Sequence, residues 1–175
     1  MKKNILAFFI LLFVSGVSCA NGLTNGAKQV ILIELETGRV LLEKNADEKM
    51  HPSSLTKIMA VMPVLERLKA ERIAITDTLP VSVRAWKQEG SRMFLEPNTS
   101  VGIGDLLRGV IVQSGNDATT VLAEGLAGTE TQFAQEMTDL AHNLGARNTN
   151  FLNASGLPED NHFSTARDIA TISAA

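Results

Sequence analysis

The chain has 175 residues, of which 45% are hydrophobic and 20% are charged, so it can bury the core of one domain and is too apolar for global disorder. A formal net charge of −3 argues against a nucleic-acid-binding protein, because such proteins carry a basic surface. The chain has a single cysteine and three scattered histidines, His51, His142 and His162, and these provide no metal-ligand spacing. We interpret the histidines as structural or solvent-exposed residues. We therefore expect neither a metal nor another cofactor.

Residues 1–20 have the features of a secretory signal peptide. Lys2 and Lys3 precede an apolar run over residues 5–17, and small residues surround a predicted cleavage point after Ala20. The run is too short for a comfortable membrane span. We expect an exported protein whose mature chain is residues 21–175.

An uncleaved N-terminal anchor and lipid attachment at Cys19 are alternatives to cleavage after Ala20. Gly16 disfavours the second, because lipid-attachment sites usually have a larger aliphatic residue there. Cleavage would remove two lysines and the cysteine, leaving 14 basic and 19 acidic residues and a formal charge of −5. The mature protein would then have no thiol nucleophile and no disulfide.

The first mature elements are predicted to be a hairpin and a helix. Residues 29–43 are apolar and β-branched on both sides of a glycine turn at 36–39, which predicts two antiparallel strands. Residues 54–68 have helical spacing, with Ile58, Met59, Met62 and Leu65 on one apolar face. We expect Ser53 to be the N-cap and Pro63 to kink this helix.

Residues 73–98 mix short extended pieces with turns, and we expect Trp86, Met93 and Phe94 to fill the interior of this subregion. Two further helices are predicted over residues 103–112 and 117–127, with a sharp turn at Gly115 between them.

The last two predicted elements are also helices. One carries an apolar stripe from Phe133 to Leu144 and is closed by Gly145. A capping box at residues 165–168 begins the other, with Ile169 and Ile172 buried. No stop signal precedes Ala175, so we interpret the sequence as ending within an element.

Ser54 and Lys57 are the first candidate catalytic pair. Residues three apart share a helix face, so the Lys57 amine can reach the Ser54 hydroxyl. Lysine acts as a base only where burial or nearby positive charge lowers its pKa. Because roughly one Ser-x-x-Lys occurs by chance in a chain of this length, an ordinary helix surface remains the alternative for this motif alone.

The segment Ser114-Gly115-Asn116 is the second candidate, at the corner between two apolar helices. Polar side chains at such a corner are costly unless they form hydrogen bonds, and they could simply cap the helix that begins at Asp117. A hydroxyl and a carboxamide beside a Ser-Lys pair would also suit acyl transfer, by relaying a proton and holding a substrate amide.

Taken together, these motifs resemble the N-terminal part of the serine D-Ala-D-Ala carboxypeptidases, which are low-molecular-mass penicillin-binding proteins. The similar segments are ILIELETGRVLLEKNAD, PSSLTKIM, LLRGVIVQSGNDAT, LGARNTNFLNASGLP and HFSTARDIA, in the family's order. The resemblance implies an α+β, penicillin-binding protein/β-lactamase-like transpeptidase fold, with helices on a mostly antiparallel sheet. Residues 21–175 would form the N-terminal part of its catalytic domain.

The resemblance also implies a mechanism on peptidoglycan stem peptides ending in D-Ala-D-Ala. Ser54 would attack the penultimate D-alanine carbonyl, with neutral Lys57 as the general base, although the base is disputed among related enzymes. Ser114 would protonate the leaving nitrogen, and Asn116 would orient the substrate and Lys57. The Ser54 backbone N–H would supply one oxyanion donor. β-Lactams would be covalent inhibitors, and an amphipathic C-terminal anchor found in many relatives would allow membrane association.

The family's third motif, Lys-Thr-Gly on a later strand, does not occur in these 175 residues. That strand supplies the second oxyanion donor and binds the substrate carboxylate, and loss of one such donor alone typically costs ~10²-fold to 10³-fold in rate. We therefore expect the 175-residue chain by itself to be C-terminally incomplete and to have negligible activity. An isolated hairpin would also leave several apolar helix faces without their sheet.

Two alternatives from other classes remain open. Related serine hydrolases include β-lactamases and murein endopeptidases, but Ser114-Gly115-Asn116 resembles the carboxypeptidase form of a motif that is Ser-Asp-Asn in class A β-lactamases. The chain could also be a non-catalytic exported remnant of the fold.

Overall fold

The computed structural model describes residues 26–175, so the predicted signal peptide of residues 1–20 lies outside the described part. In chain order the elements are β1 (Val30–Ile33), β2 (Val40–Lys44), a 3-10 turn (Ser53–Leu55), α1 (Thr56–Lys69), β3 (Thr78–Pro80), α2 (Val83–Trp86), β4 (Ser100–Gly102), α3 (Ile103–Gln113), α4 (Asn116–Ala127), α5 (Glu130–Asn143) and α6 (Ala166–Ser173).

The core lies where α1, α3 and α5 pack around α4. It is filled by fully or almost fully buried apolar side chains from all four helices: Met59, Val64, Leu106, Val110, Val121, Leu122, Phe133 and Met137. Helix α2 packs on α4 as well, and α6 packs on α1 and β1. This arrangement leaves the N-terminus of α1 and the α3–α4 corner beside each other.

The predicted hairpin is confirmed, because β1 and β2 pair antiparallel with Leu32 opposite Leu42. Gly38 has φ +69° in the connecting turn, where a glycine carries no steric cost. Strands β3 and β4 form a second antiparallel pair. Within residues 26–175 the strands therefore make two separate two-stranded sheets rather than one larger sheet.

The start of the first long helix differs from the prediction. Ser53 is not an N-cap: it has φ +49° and its side chain makes no capping hydrogen bond. An N-cap needs extended backbone angles, whereas the chain here turns tightly, with the N–H of Leu55 bonded to the carbonyl of Pro52. Helix α1 therefore begins at Thr56, and it continues through the buried Pro63.

The predicted apolar face of α1 divides between two environments. Met59 points into the core together with Ala60 and Val64, while Ile58, Met62 and Leu65 line a surface cavity. The helix is therefore apolar on two sides. The side with Met59 is covered by the core, and the side with Ile58, Met62 and Leu65 borders the cavity.

Two of the three residues expected to fill the 73–98 subregion are exposed. Trp86 is 44% exposed and Phe94 is 70% exposed, whereas Ala85 and Leu95 are buried. Helix α2 is a single turn that directs Ala85 inward, so its neighbour Trp86 faces outward. The third, Met93, is partly buried against the core, as predicted.

The last two predicted helices are confirmed, and both begin at side-chain caps. The Thr129 hydroxyl accepts from the N–H of Gln132 at the start of α5, and the Thr165 hydroxyl accepts from the N–H of Asp168 at the start of α6. The Asp168 carboxylate accepts from the N–H of Asn148 and the hydroxyl of Thr149, both at 2.7 Å. The Asp168 carboxylate thereby anchors α6 to the loop after α5. It does not bond to the backbone N–H of the N-cap residue Thr165, as it would in a complete capping box.

All three histidines make hydrogen bonds; His51 and His142 are otherwise exposed to solvent, whereas His162 is buried. Its Nδ1 accepts from the N–H of Leu152 at 3.1 Å, so Nε2 carries the proton and donates to the Thr56 hydroxyl at 3.0 Å. Burial is the main cause that lowers the pKa of His162; Glu159 opposes this effect and His51 adds to it. The neutral ring therefore links α1 to the segment after Phe151.

We predict that His162 makes the protein less stable in mild acid. A histidine whose pKa is lowered by folding binds its proton more readily in the unfolded chain, so its stabilising effect is present above about pH 6.5 and is lost as the pH falls below that value. Urea unfolding between pH 7.5 and 5 should show a steeper loss of unfolding free energy for the wild-type chain than for His162→Gln. An equal slope in His162→Gln would contradict the prediction.

Candidate active site

Ser54 and Lys57 lie together at the N-terminal end of α1. The 3-10 turn presents Ser54, and Lys57 is the second residue of the helix. The Nζ atom of Lys57 lies 3.4 Å from Oγ of Ser54 and donates to the carbonyl oxygen of Ser155 at 2.7 Å. The amine is therefore held between the candidate nucleophile and a backbone acceptor.

Burial changes the acid–base chemistry of Lys57. The residue is only 5% exposed, and burial lowers the pKa of its amine to about 8. About a tenth of such amines are neutral at pH 7, against fewer than about one in a thousand for an unperturbed lysine with a pKa of about 10.4. Lys57 can therefore accept a proton from a neighbouring hydroxyl near neutral pH.

A cavity of about 380 Å³ opens beside this pair. Its polar lining comes from Ser54, Lys57 and Ser114, and its apolar lining comes from α1 and α3 (Ile58, Val61, Met62, Leu65, Val110 and Ile111). An apolar wall next to a few convergent polar groups is typical of a ligand site. The structure thus places three of the four predicted site residues on one cavity.

Ser114, and not Gly115, makes the sharp turn between α3 and α4. Ser114 has φ +56°, in the left-handed region, whereas Gly115 has φ −64° and precedes α4 as its N-cap. The N–H of Gly115 closes the end of α3 on the carbonyl of Gly109 at 3.0 Å. Because α4 has no side-chain N-cap bond, capping does not account for Ser114 and Asn116.

Asn116 is buried beside the cavity but does not line it. Its side-chain amide donates to the carbonyl of Glu89 at 2.6 Å, and its backbone N–H donates to the carbonyl of Ser91 at 2.7 Å. Among the described residues no hydrogen bond joins Asn116 to Lys57. The residue instead connects the α3–α4 corner to the segment before β4.

Asp117 reinforces the same connection. This buried carboxylate accepts from the N–H of Met93 at 2.9 Å and from the N–H of Leu95 at 3.1 Å. The two bonds turn Leu95 into the core and leave Phe94, at φ +61°, outside it. An acidic residue in the first turn of a predicted helix was the available signal, but sequence reasoning assigned it no role.

The loop of residues 153–157 is the part of the site that sequence reasoning missed. It supplies the Ser155 carbonyl that binds Lys57. Gly156 has φ +85°, and a β-carbon there would overlap the carbonyl of Ser53, so the loop packs directly on the turn that carries Ser54. The sequence Ser155-Gly156 is typical of a tight turn, but it does not indicate where in the fold that turn lies.

We predict that Lys57 titrates with a midpoint near pH 8. The midpoint can be measured from the Cε signals of protein labelled with ¹³C-lysine, and Lys57→Gln assigns the signal. A midpoint close to the unperturbed value of about 10.4 would show that the amine is solvated, and would contradict the proposed burial.

Comparison with known proteins identifies the family. Residues 17–175 match the family model of the D-alanyl-D-alanine carboxypeptidases, peptidase family S11. The chain is 40% identical over 148 residues to the D-alanyl-D-alanine carboxypeptidase DacF of Bacillus subtilis and 44% identical over 155 residues to DacC of Escherichia coli. Each match covers 85% of this chain but only 38% and 39% of the respective relative. The chain thus spans about two fifths of the length of these curated relatives.

Solved structures confirm the predicted α+β fold of penicillin-binding proteins. The carboxypeptidase DacD from Francisella tularensis has a TM-score of 0.86 at 33% identity, over 99% of this chain and 40% of that one. Penicillin binding protein 5 from Haemophilus influenzae has a TM-score of 0.82 at 40% identity, over 87% of this chain and 46% of that one. The chain belongs to the D-alanyl-D-alanine carboxypeptidase family of serine peptidases.

Proposed function

We propose that the protein acts as a serine D-Ala-D-Ala carboxypeptidase, removing the terminal D-alanine from peptidoglycan stem peptides through an acyl-enzyme. The observation that carries the proposal is the buried Lys57 amine, 3.4 Å from the Ser54 hydroxyl in a cavity that Ser114 also lines. Family membership supports the substrate class.

In the acylation step, Ser54 Oγ attacks the carbonyl carbon of the penultimate D-alanine. Its proton passes to neutral Lys57. The Ser114 hydroxyl then delivers a proton to the nitrogen of the terminal D-alanine as the C–N bond breaks, and it recovers a proton from Lys57. The products are free D-alanine and an ester on Ser54.

In the deacylation step, water replaces the leaving D-alanine. Lys57 takes a proton from the attacking water and passes it to Ser54 Oγ as the ester bond breaks, which releases the shortened stem peptide as a carboxylic acid. The Ser54 N–H, near the N-terminus of α1, would stabilise the oxyanion in both steps. The Ser155 carbonyl keeps the Lys57 amine aimed at Ser54.

Asn116 is proposed to orient the substrate amide rather than to take part in proton transfer. Its side chain lies beside the cavity and not in the lining, and it is fixed by the bond to the Glu89 carbonyl, so a substrate amide that extends past the lining would meet a carboxamide already held in place.

Inhibition and location follow from the same proposal. β-Lactams would acylate Ser54, because they resemble the terminal dipeptide. The signal peptide of residues 1–20 would direct the protein to the bacterial periplasm or cell envelope, where trimming of stem peptides influences cell-wall biogenesis and cell shape. Association with the membrane would come from an amphipathic C-terminal anchor of the kind found in many relatives. No helix within residues 26–175 is long and apolar enough to cross a membrane.

The test must supply the Lys-Thr-Gly strand that these 175 residues lack. We predict that a chimera of this chain and the C-terminal part of the DacC relative releases D-alanine from a D-Ala-D-Ala peptide. Ser54→Ala should abolish release, and Lys57→Gln should slow it by about 10³-fold or more. The matched control Ser53→Ala alters the adjacent serine and should retain activity.

Two further arms of this experiment discriminate the alternatives. The 175-residue chain alone should release no D-alanine, because it has neither the second oxyanion donor nor the carboxylate site. A folded chimera that leaves D-Ala-D-Ala peptides intact but turns over penicillin or cross-linked muropeptides would contradict the proposal, and would favour a β-lactamase or an endopeptidase. Release that persists in Ser54→Ala would contradict the assigned nucleophile.

A further inference from the structure

A buried carboxylate binds the backbone one residue before the Lys57 acceptor. The carbonyl of Ser155 accepts from Lys57 Nζ at 2.7 Å. The N–H of the preceding residue, Ala154, donates to Oε1 of Glu130 at 3.1 Å. An interaction that holds Ala154 in place therefore also constrains the Ser155 carbonyl, which binds the Lys57 amine.

Glu130 is well placed to provide such an interaction. It is the first residue of α5 and is almost fully buried, and its second oxygen accepts from Nη2 of Arg84 at 2.6 Å. The Arg84 guanidinium and the N-terminal dipole of α5 both compensate its charge. The carboxylate is thus held on one side by α2 and α5 and contacts the loop on the other.

The loop transmits this contact because it is internally closed. Oδ1 of Asn153 accepts from the N–H of Gly156 at 2.8 Å, and Nδ2 of Asn153 donates to the carbonyl of Leu157 at 2.9 Å. Gly156 packs against the Ser53 carbonyl. Displacing Ala154 would therefore move the turn as a unit away from Ser54 and Lys57.

We propose that Glu130 is a positioning residue for the Ser54–Lys57 reaction: it fixes the 153–157 loop so that the Ser155 carbonyl holds the Lys57 amine beside the Ser54 hydroxyl. Glu130 does not line the cavity and does not contact Ser54. It acts only through the 153–157 loop. The inference rests on the proposed role of Lys57, but it can be tested without catalysis.

The chain supplies a matched control on the same helix. Glu136 of α5 also pairs with an arginine, Arg67, at 2.7 Å, but the hydrogen bonds of its carboxylate do not involve the 153–157 loop. Glu136→Ala therefore removes an ion pair from α5, at a more exposed carboxylate than that of Glu130, and leaves the loop attached. Glu130→Gln is the conservative variant: its amide oxygen can still accept from the N–H of Ala154, whereas its NH2 group cannot accept from Arg84, so the variant keeps the loop contact and loses the ion pair.

The experiment follows the titration of Lys57 in the full chain, using the Cε signal of ¹³C-lysine. We expect Glu130→Ala to raise the midpoint by about one unit toward that of an unperturbed lysine, because the water that a loosened loop admits solvates the ammonium better than the single Ser155 carbonyl that it replaces. Glu130→Gln and Glu136→Ala should keep the wild-type midpoint. Hydrogen exchange of the 153–157 backbone should increase in Glu130→Ala alone.

An unchanged Lys57 midpoint in folded Glu130→Ala would overturn the proposal, as would an equal rise in Glu136→Ala. If the alanine variant does not fold, Glu130→Asp provides the same test, since its shorter side chain keeps a carboxylate for Arg84 but withdraws it from the N–H of Ala154. The midpoint is measured without substrate. It can therefore respond to Glu130 even if the chimera releases no D-alanine, and the two proposals can fail separately.

Discussion

The site depends on keeping one lysine amine out of water without leaving it unbonded. Burial alone would make the Lys57 ammonium costly, and the Ser155 carbonyl offsets part of that cost while leaving the amine 3.4 Å from Ser54. The result is a pKa of about 8, low enough for a base and high enough to hold a transferred proton. Without either the burial or the Ser155 carbonyl, the pKa of Lys57 would leave this range.

Three separate parts of the chain are needed to build that environment. The tight turn before α1 presents Ser54, the 153–157 loop covers Lys57, and the α3–α4 corner brings Ser114 to the same cavity. Each part is fixed by a buried polar side chain: His162 bonds to Thr56, Glu130 bonds to the loop, and Asp117, in the corner itself, bonds to the segment before β4. Buried polar groups of this kind favour one arrangement of the site, because they are costly when unpaired.

Sequence reasoning located the catalytic candidates because their chemistry is local. Ser54 and Lys57 are three residues apart on one helical turn, and the hairpin, α5 and α6 follow from periodicity and caps. It failed where tertiary contacts decide the local conformation. Ser53 takes a left-handed turn because the 153–157 loop packs on its carbonyl, and Phe94 is exposed because Asp117 orients the residues on either side of it. The Ser155 carbonyl could not be foreseen, since a backbone atom 98 positions from Lys57 leaves no pattern in the sequence.

The most direct test of the account is to identify the residue that a penicillin acylates in the completed chain. Tandem mass spectrometry of the chimera after brief exposure to penicillin should locate the adduct on Ser54, and Lys57→Gln should form it far more slowly. An adduct on Ser114 or another serine, or equally fast labelling without the Lys57 amine, would contradict the claim that this buried lysine activates Ser54.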